Sequence, residues 1–230
     1  MDKTIKDSFT LQLLNSQTED EVIALVDHIV KLISDANQHY KQILVLSYEI
    51  TNLSAEVLVD VLKKLEIVSD TVVMYTNAIK FVDTEYTTQL FFNMSDTLKA
   101  KLVFVVVLYG PADVHDNIKA GFYESIKGLS HVKFLGLATN VIVPFSKHAI
   151  NQLDSVTQWL KEMYTLFPTL MLQPTVIPEH MLPNDDLDVY AGLVYANNFQ
   201  EDIVPDYPIN DSMVNSVILQ ASTETPPVNT

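Results

Sequence analysis

The sequence contains no cysteine among its 230 residues. Disulfide bonds, a thiolate nucleophile and cysteine-based zinc or iron–sulfur sites are therefore excluded for this chain. This composition is compatible with a reducing compartment, and we expect a cytoplasmic protein.

Arginine is absent as well. All 14 basic residues are lysines, and they stand against 29 acidic residues, so the formal net charge is −15. The planar guanidinium group is the usual bidentate partner of phosphates and of guanine edges, and an acidic surface repels nucleic acid and anionic lipid. We therefore expect no nucleic-acid partner and no membrane partner.

Glycine and long apolar runs are scarce. None of the five glycines is spaced as in a phosphate-binding loop, and no cofactor is predicted. The longest apolar run, Leu102 to Tyr109, is far shorter than the roughly 20 residues of a membrane-spanning helix. The first 20 residues lack the apolar core of a secretion signal.

Helical and strand patterns alternate along the first 167 residues. A capping box at Thr18 and Glu21 predicts a helix over 19–36, and Ser54 precedes a second amphipathic stripe over 55–66. Further helices are predicted over 84–100, 116–128 and 147–167, the last capped by Ser146. Continuous apolar runs predict buried strands over 42–48, 71–77, 102–110, 132–138 and 141–145. The predicted fold class is α/β, with a mostly parallel sheet of about five strands and helices on both faces.

The composition changes at Pro168. Residues 168–230 contain no lysine and most of the prolines, together with many apolar residues. We predict a core domain over 1–167 and an acidic, Pro-broken C-terminal arm over 168–230, with a short helix over 185–199 and a frayed tail. The apolar content predicts that the arm packs on the core or on a neighbouring subunit.

Polar side chains follow three of the predicted strands, where ligands bind in parallel α/β sheets. The run "KLVFVVVLYGPADVHDN" (101–117) places Asp113, His115 and Asp116 after a buried strand and a Gly-Pro pair. Carboxylate and imidazole groups serve as general acids and bases or as metal ligands, so these residues, with Glu49 or Asn77 from adjacent strand ends, are candidates for a hydrolytic or metal site.

A simpler interpretation of the same run assigns it no chemistry. In this interpretation Gly-Pro turns the chain and Asp113 accepts hydrogen bonds from turn amides. Asp116 would then cap the next helix, and His115 would be an exposed turn residue.

Three stretches of 42–145 resemble the Clp protease and crotonase family: "ILVLSYEITNLSAEVLVDVLKKL", "TVVMYTN" and "VFVVVLYGPADV". The resemblance implies a spiral α/β fold that works in stacked rings with a Ser-His-Asp triad and an oxyanion hole. The chain departs from that family at two points. No glycine follows Asn77, and Val114 stands where the nucleophilic serine would be, so the resemblance implies a relative without catalytic residues.

The functional prediction is a non-enzymatic acidic module that acts by self-association or by binding another protein, with a composition suited to a viral or phage structural or accessory role. Two alternatives stay open at this point. One is a hydrolase or metal-dependent enzyme that uses Asp113, His115 and Asp116. The other is an acidic inhibitor of a basic protein target.

Overall fold

The structure is a computed structural model that describes residues 3–13, 17–46, 53–118, 120–144, 152–166 and 171–175. The chain forms two compact units. The first comprises Met1–Leu108, Lys119–Ile142 and Thr169–Met171, and the second comprises Tyr109–Ile118, Val143–Pro168 and Leu172–Thr230. The division into a core and an arm at residue 168 stays a prediction.

Strands and helices alternate along the first unit and into the second. The strands are β1 (Thr4–Gln12), β2 (Gln38–Leu46), β3 (Ser69–Thr76), β4 (Leu102–Val107), β5 (Ala138–Pro144) and β6 (Met171–Thr175). The helices are α1 (Glu19–Asp35), α2 (Ala55–Glu66), α3 (Thr84–Asn93), α4 (Asp96–Lys101), α5 (Ala112–Ile118), α6 (Phe122–Phe134) and α7 (Leu153–Leu166), with a 3-10 helix at Ile79–Val82.

The first five strands form a parallel sheet in the order β1-β2-β3-β4-β5. Each strand therefore lies beside the strand that precedes it in the chain, and a helical crossover joins each pair. Within the first unit, α2 contacts α1, α3 and α4, and α3 contacts α6, so these helices form one connected layer. The predicted α/β class and the parallel sheet of about five strands are confirmed.

The two faces of the sheet differ in their exposure. On one face, Ile43, Val72, Met74 and Phe104 are 0% exposed. Burial of side chains of this size stabilises the fold by about 1.5–3 kcal/mol each. Residues that alternate with them, such as Leu44, Val73 and Val103, are only half-buried. One face of the sheet is therefore the core, and the other is more accessible at these positions, although Val105, Val107 and Ile142 on it are at most 4% exposed.

Caps and glycines set the ends of several helices. Thr18 and Glu21 form the predicted capping box of α1, and Ser54 caps α2. The helix predicted over 84–100 is interrupted at Met94, and Ser95 caps the separate helix α4. The helix predicted over 116–128 is likewise two helices, with Gly121 between them at a φ of 110°.

The strand predictions differ from the structure in two places. The strand predicted over 132–138 is wrong, because α6 continues to Phe134 and closes at Gly136, whose φ is 76°. The strand in this region, β5, covers Ala138–Pro144. Strand β1 is not predicted, because its sequence TIKDSFTLQ is polar and lies at the edge of the sheet with most side chains exposed.

Some predictions fall outside the described residues. These are the role of Glu49, the Ser146 cap and the helix over 185–199. Of the arm, the structure describes only β6. Among the described residues, no helix is long and apolar enough to cross a membrane.

Candidate functional site

The accessible face of the sheet presents polar side chains towards the carboxyl ends of its strands. On this face, the strand register aligns side chains in rows that run across the sheet. We call two of these rows together the accessible face. The first row contains Thr10, Leu44, Val73, Val103 and Ala138, and the second contains Gln12, Leu46, Tyr75, Val105 and Asn140. The second row lies nearer the carboxyl ends, where parallel α/β sheets bind their ligands.

Tyr75 and Asn140 are the two polar groups in the central part of the second row. Both are half-buried, and they flank Val105, which is paired with each of them. Burial raises the pKa of the Tyr75 hydroxyl from its usual value of 10.0. The phenol is therefore neutral near pH 7 and is able both to donate and to accept a hydrogen bond.

The accessible face carries no charged side chain in either row. Its hydrogen-bonding groups are hydroxyls and amides, which offer both donors and acceptors without a net charge. Among the apolar members, Leu46 is half-buried, whereas Val105, between Tyr75 and Asn140, is 4% exposed. This combination of a few polar groups within apolar surroundings is typical of small-molecule sites.

A turn of fixed shape follows β3 at the same edge. The Thr76 hydroxyl oxygen accepts a hydrogen bond from the Ala78 N–H at 3.0 Å, and the Asn77 side-chain oxygen accepts one from the Ile79 N–H at 3.1 Å. Ala78 adopts a left-handed conformation, with a φ of 63°. Non-glycine residues in this conformation cost about 1–2 kcal/mol, and such strain concentrates at functional sites.

The 3-10 helix after this turn is fastened to α3 and α6. The Phe81 carbonyl accepts a hydrogen bond from the Thr87 hydroxyl at 3.0 Å, and the His131 Nδ1 lies 2.8 Å from the same oxygen. The Phe81 ring is fully buried and packs edge-on against Phe104 of β4, with 5.1 Å between ring centroids. The carboxyl end of β3 is therefore rigidly held.

A buried phenol lies on α3, beside this 3-10 helix. Tyr86 is 6% exposed, and its hydroxyl has no hydrogen-bond partner in the described part of the chain. Burial, together with the nearby carboxylates of Glu19 and Asp83, raises the pKa of this hydroxyl strongly. The Lys80 ammonium lies 4.9 Å from the centroid of the Tyr86 ring.

The predicted residues Asp113, His115 and Asp116 lie together on α5, in the second unit. His115 is 1% exposed, so the interpretation that made it an exposed turn residue was wrong. Its Nδ1 accepts a hydrogen bond from the Tyr109 N–H at 3.1 Å, and the two rings pack with centroids 5.6 Å apart.

The two carboxylates on α5 differ from His115 in their surroundings. Asp113 and Asp116 are exposed, and as residues three apart they share a face of the helix. Burial lowers the pKa of His115, and the charge of Asp116 opposes this shift. Within the described residues, no three His, Asp or Glu side chains are grouped to hold a metal ion. A catalytic role for Asp113, His115 and Asp116 stays a prediction.

Of the two candidate residues Tyr75 and Asn140, only Tyr75 lies within a predicted strand. Tyr75 belongs to the strand predicted over 71–77, close to the candidate Asn77. Asn140 lies between the runs 132–138 and 141–145, which the apolar pattern separates into two strands. A single strand over "ATNVIVP" places Asn140 on the same face as Ala138 and Ile142, because side chains alternate along a strand.

The chain matches no protein-family model and no curated protein. Among solved structures, it is similar to native anSMEcpe with bound AdoMet and Kp18Cys peptide, with a TM-score of 0.60 and 13% identity over 94% of this chain and 67% of that one. A structure of native anSMEcpe with bound AdoMet gives a TM-score of 0.57 and 14% identity over 86% and 57% of the two chains. In other matches the chain spans only 41% or 39% of the anSMEcpe chain.

These matches correct the resemblance to the Clp protease and crotonase family, which was wrong. At this identity, the anSMEcpe structures show the fold alone. The resemblance rested on the order of strands and helices along the chain, which different α/β folds share. The strand order in the sheet, which distinguishes them, is not visible in short apolar runs.

The functional prediction of a non-enzymatic assembly module, which rested on composition and on the C-terminal arm, was wrong as well. The matching structures are of anSMEcpe with bound AdoMet, which contradicts the non-enzymatic assembly module, and nothing supports a Clp-like pseudo-enzyme or a viral protein.

Proposed function

We propose that this chain is an enzyme of the β/α type that binds a small polar ligand on the accessible face, at the carboxyl ends of β3, β4 and β5. The observation that carries the proposal is the placement of Tyr75 and Asn140 in one row of that face, on either side of Val105.

The spacing of the two side chains suits a small molecule. Strands in a sheet lie about 4.8 Å apart, so residues on β3 and β5 in one row are roughly 10 Å apart at the backbone. A ligand of the size of a nucleoside or a dipeptide spans this distance. It would make hydrogen bonds at both ends.

The rigid edge of β3 supports the same proposal. A binding site needs side chains that are already held in place, because ordering them on binding costs free energy. The hydrogen bonds of Thr76 and Asn77 fix the turn that directly follows Tyr75. Tyr75 therefore lies on a strand whose end has little conformational freedom.

The fold gives independent support for an enzyme. The anSMEcpe structures similar to this chain hold AdoMet, and one also holds a peptide. AdoMet is therefore the first probe for the accessible face. Adenosine and short uncharged peptides are the next probes, because they match the size and the uncharged surroundings of the site.

The test is ligand binding to matched variants of the full chain. Thermal unfolding with each probe identifies the ones that raise Tm, and calorimetry gives their Kd. Tyr75→Phe and Asn140→Ala each remove one neutral hydrogen bond, so each should weaken binding by about 3- to 10-fold. Thr71→Ala is the control, because Thr71 lies on the same strand and face, about 13 Å towards the amino end.

Two results would contradict the proposal. One is that no probe raises the Tm of the wild-type chain. The other is a probe that binds equally well to wild type, Tyr75→Phe and Asn140→Ala, since its site would then lie elsewhere.

A further inference from the structure

The similarity to structures that hold AdoMet raises the question whether this chain could hold an iron–sulfur cluster. Radical chemistry on AdoMet is carried out by cofactors that include iron–sulfur clusters. Such clusters are held by cysteine thiolates, with histidine replacing two of the four ligands in one class.

The side chains of this chain do not fit an iron–sulfur cluster. The full sequence has no cysteine, so every known class of cluster ligation lacks its thiolates. Oxygen and nitrogen ligands do not substitute for them in the part of the chain that the structure describes, where no three His, Asp or Glu side chains are grouped. The mismatch between this chain and an iron–sulfur cluster therefore lies in the types of ligand atom that its side chains offer.

We infer that this chain uses its β/α scaffold without an iron–sulfur cluster, and that its ligand is held by the uncharged side chains of the accessible face. This inference rests on the proposed function for the place where the ligand binds. Its statement about the cluster concerns the chemistry of the chain and does not depend on which ligand binds.

The uncharged face gives the inference a second basis. A bound cluster or a charged ligand that is taken out of water needs compensating charges or many hydrogen bonds. The accessible face offers none of the former, and its polar groups are single hydroxyls and amides such as those of Tyr75 and Asn140. It suits a ligand whose contacts are hydrogen bonds and apolar packing, and such binding does not depend on oxygen or on a reductant.

The first arm of the test is reconstitution of the full chain with ferrous iron and sulfide under anaerobic conditions. After desalting, iron and sulfide are measured, together with the visible absorption that clusters show. A ferredoxin with cysteine ligands is treated in parallel as the positive control. The expected result is that the ferredoxin regains its cluster and this chain retains no iron or sulfide. A stoichiometric cluster on this chain would overturn the inference.

The second arm measures binding of AdoMet and adenosine before and after reconstitution, in air and without oxygen. The expected result for adenosine is the same Kd in all four conditions. AdoMet should bind more weakly, because its sulfonium, ammonium and carboxylate groups meet no compensating charge on the accessible face. Binding that appears only after reconstitution would overturn the inference. If neither probe binds under any condition and no cluster forms, the proposed function fails while the statement about the cluster stands.

Discussion

The backbone of Gly128 in α6 packs directly against the carbonyl group of Ala78, the residue that turns the chain after β3. A side chain at position 128 would overlap the Ala78 carbonyl oxygen. The left-handed turn at the carboxyl end of β3 can therefore approach α6 this closely only because position 128 is a glycine.

Replacement of Gly128 by alanine should destabilise the protein. Alanine favours a helix over glycine by about 1 kcal/mol, yet the clash with backbone forces α6 and the turn apart, at a typical cost of about 1–3 kcal/mol or more. We expect Gly128→Ala to lower the free energy of unfolding in spite of its better helix propensity. Chemical denaturation monitored by circular dichroism measures the change.

Gly136→Ala is the matched control for this substitution. Gly136 has a φ of 76°, and a methyl group added there would meet no atom within 4 Å, so its substitution costs only the left-handed conformation. That cost is about 1–2 kcal/mol. An additional loss of ligand binding at the accessible face is expected for Gly128→Ala only. An equal loss of ligand binding for the two substitutions would contradict a steric role of Gly128.

The sequence was sufficient to predict the elements that bury an apolar stripe or carry a local signal. The capping box of Thr18, the Ser54 cap and the apolar runs of β2, β3 and β4 are of this kind. It did not show β1, whose exposed edge position requires no apolar pattern. It also misplaced β5, because "VKFL" at the end of α6 is as apolar as a strand and only the backbone at Gly136 separates the two.

The candidate site was only partly predictable, since it depends on register. Tyr75 and Asn140 are far apart in the sequence, and they share a row only because each is paired with Val105. No local pattern encodes that pairing. The burial of His115 was hidden for a similar reason, because a Gly-Pro pair suggests an exposed turn, whereas a helix begins at Ala112 and turns His115 inward.

The ion pairs of Lys64 join α1 to α2. Its ammonium group lies 2.7 Å from an Asp27 carboxylate oxygen and 2.9 Å from one of Asp60. Both partners are largely exposed, so Lys64→Met should cost only about 0.5–1 kcal/mol. The loss should shrink in 1 M salt, which screens charges beyond about 3 Å. The exposed neighbour Lys63, changed to Met, is the control.

The same pairs predict a dependence on alkaline pH. Hydrogen bonds to Asp27 and Asp60 raise the pKa of Lys64 from its usual value of 10.5. The stabilisation is therefore complete below pH 10.5 and is lost as the pH rises through the higher folded value. A difference between wild type and Lys64→Met that persists in high salt and above that pH would contradict an ionic contribution.

The capping box at the start of α1 should show coupling between its two residues. The Glu21 carboxylate accepts a hydrogen bond from the Thr18 N–H at 2.8 Å, and the Thr18 hydroxyl accepts one from the Glu21 N–H at 3.3 Å. We expect Thr18→Ala to cost about 1 kcal/mol. In a double-mutant cycle with Glu21→Ala, the two losses should be less than additive. Strict additivity would show that the two bonds act independently.

Substitution of His115 should destabilise the fold, whether or not His115 takes part in catalysis. The ring is buried and accepts a hydrogen bond from the Tyr109 N–H, so His115→Ala both leaves a cavity and removes this hydrogen bond. Together these typically cost about 2–4 kcal/mol. Ser155→Ala, at an exposed position of α7 in the same unit, should change stability by less than about 0.5 kcal/mol. Denaturation of both variants at about pH 7.5, above the usual histidine pKa, measures the difference.

The pH dependence of stability provides a sharper test of the buried His115. Burial lowers its pKa from 6.5, so the unfolded chain takes up a proton at a higher pH than the folded one. The stabilisation is therefore complete above pH 6.5 and is lost as the pH falls through the lower folded value.

We expect the free energy of unfolding of the wild type to fall as the pH is lowered below 6.5. The fall should be shallower for His115→Phe, which keeps an aromatic ring but takes up no proton. Both curves are measured by urea denaturation between about pH 5 and pH 8, the range in which histidine titrates. Parallel curves would mean that His115 is as easily protonated in the folded chain as in the unfolded one, and that burial does not lower its pKa.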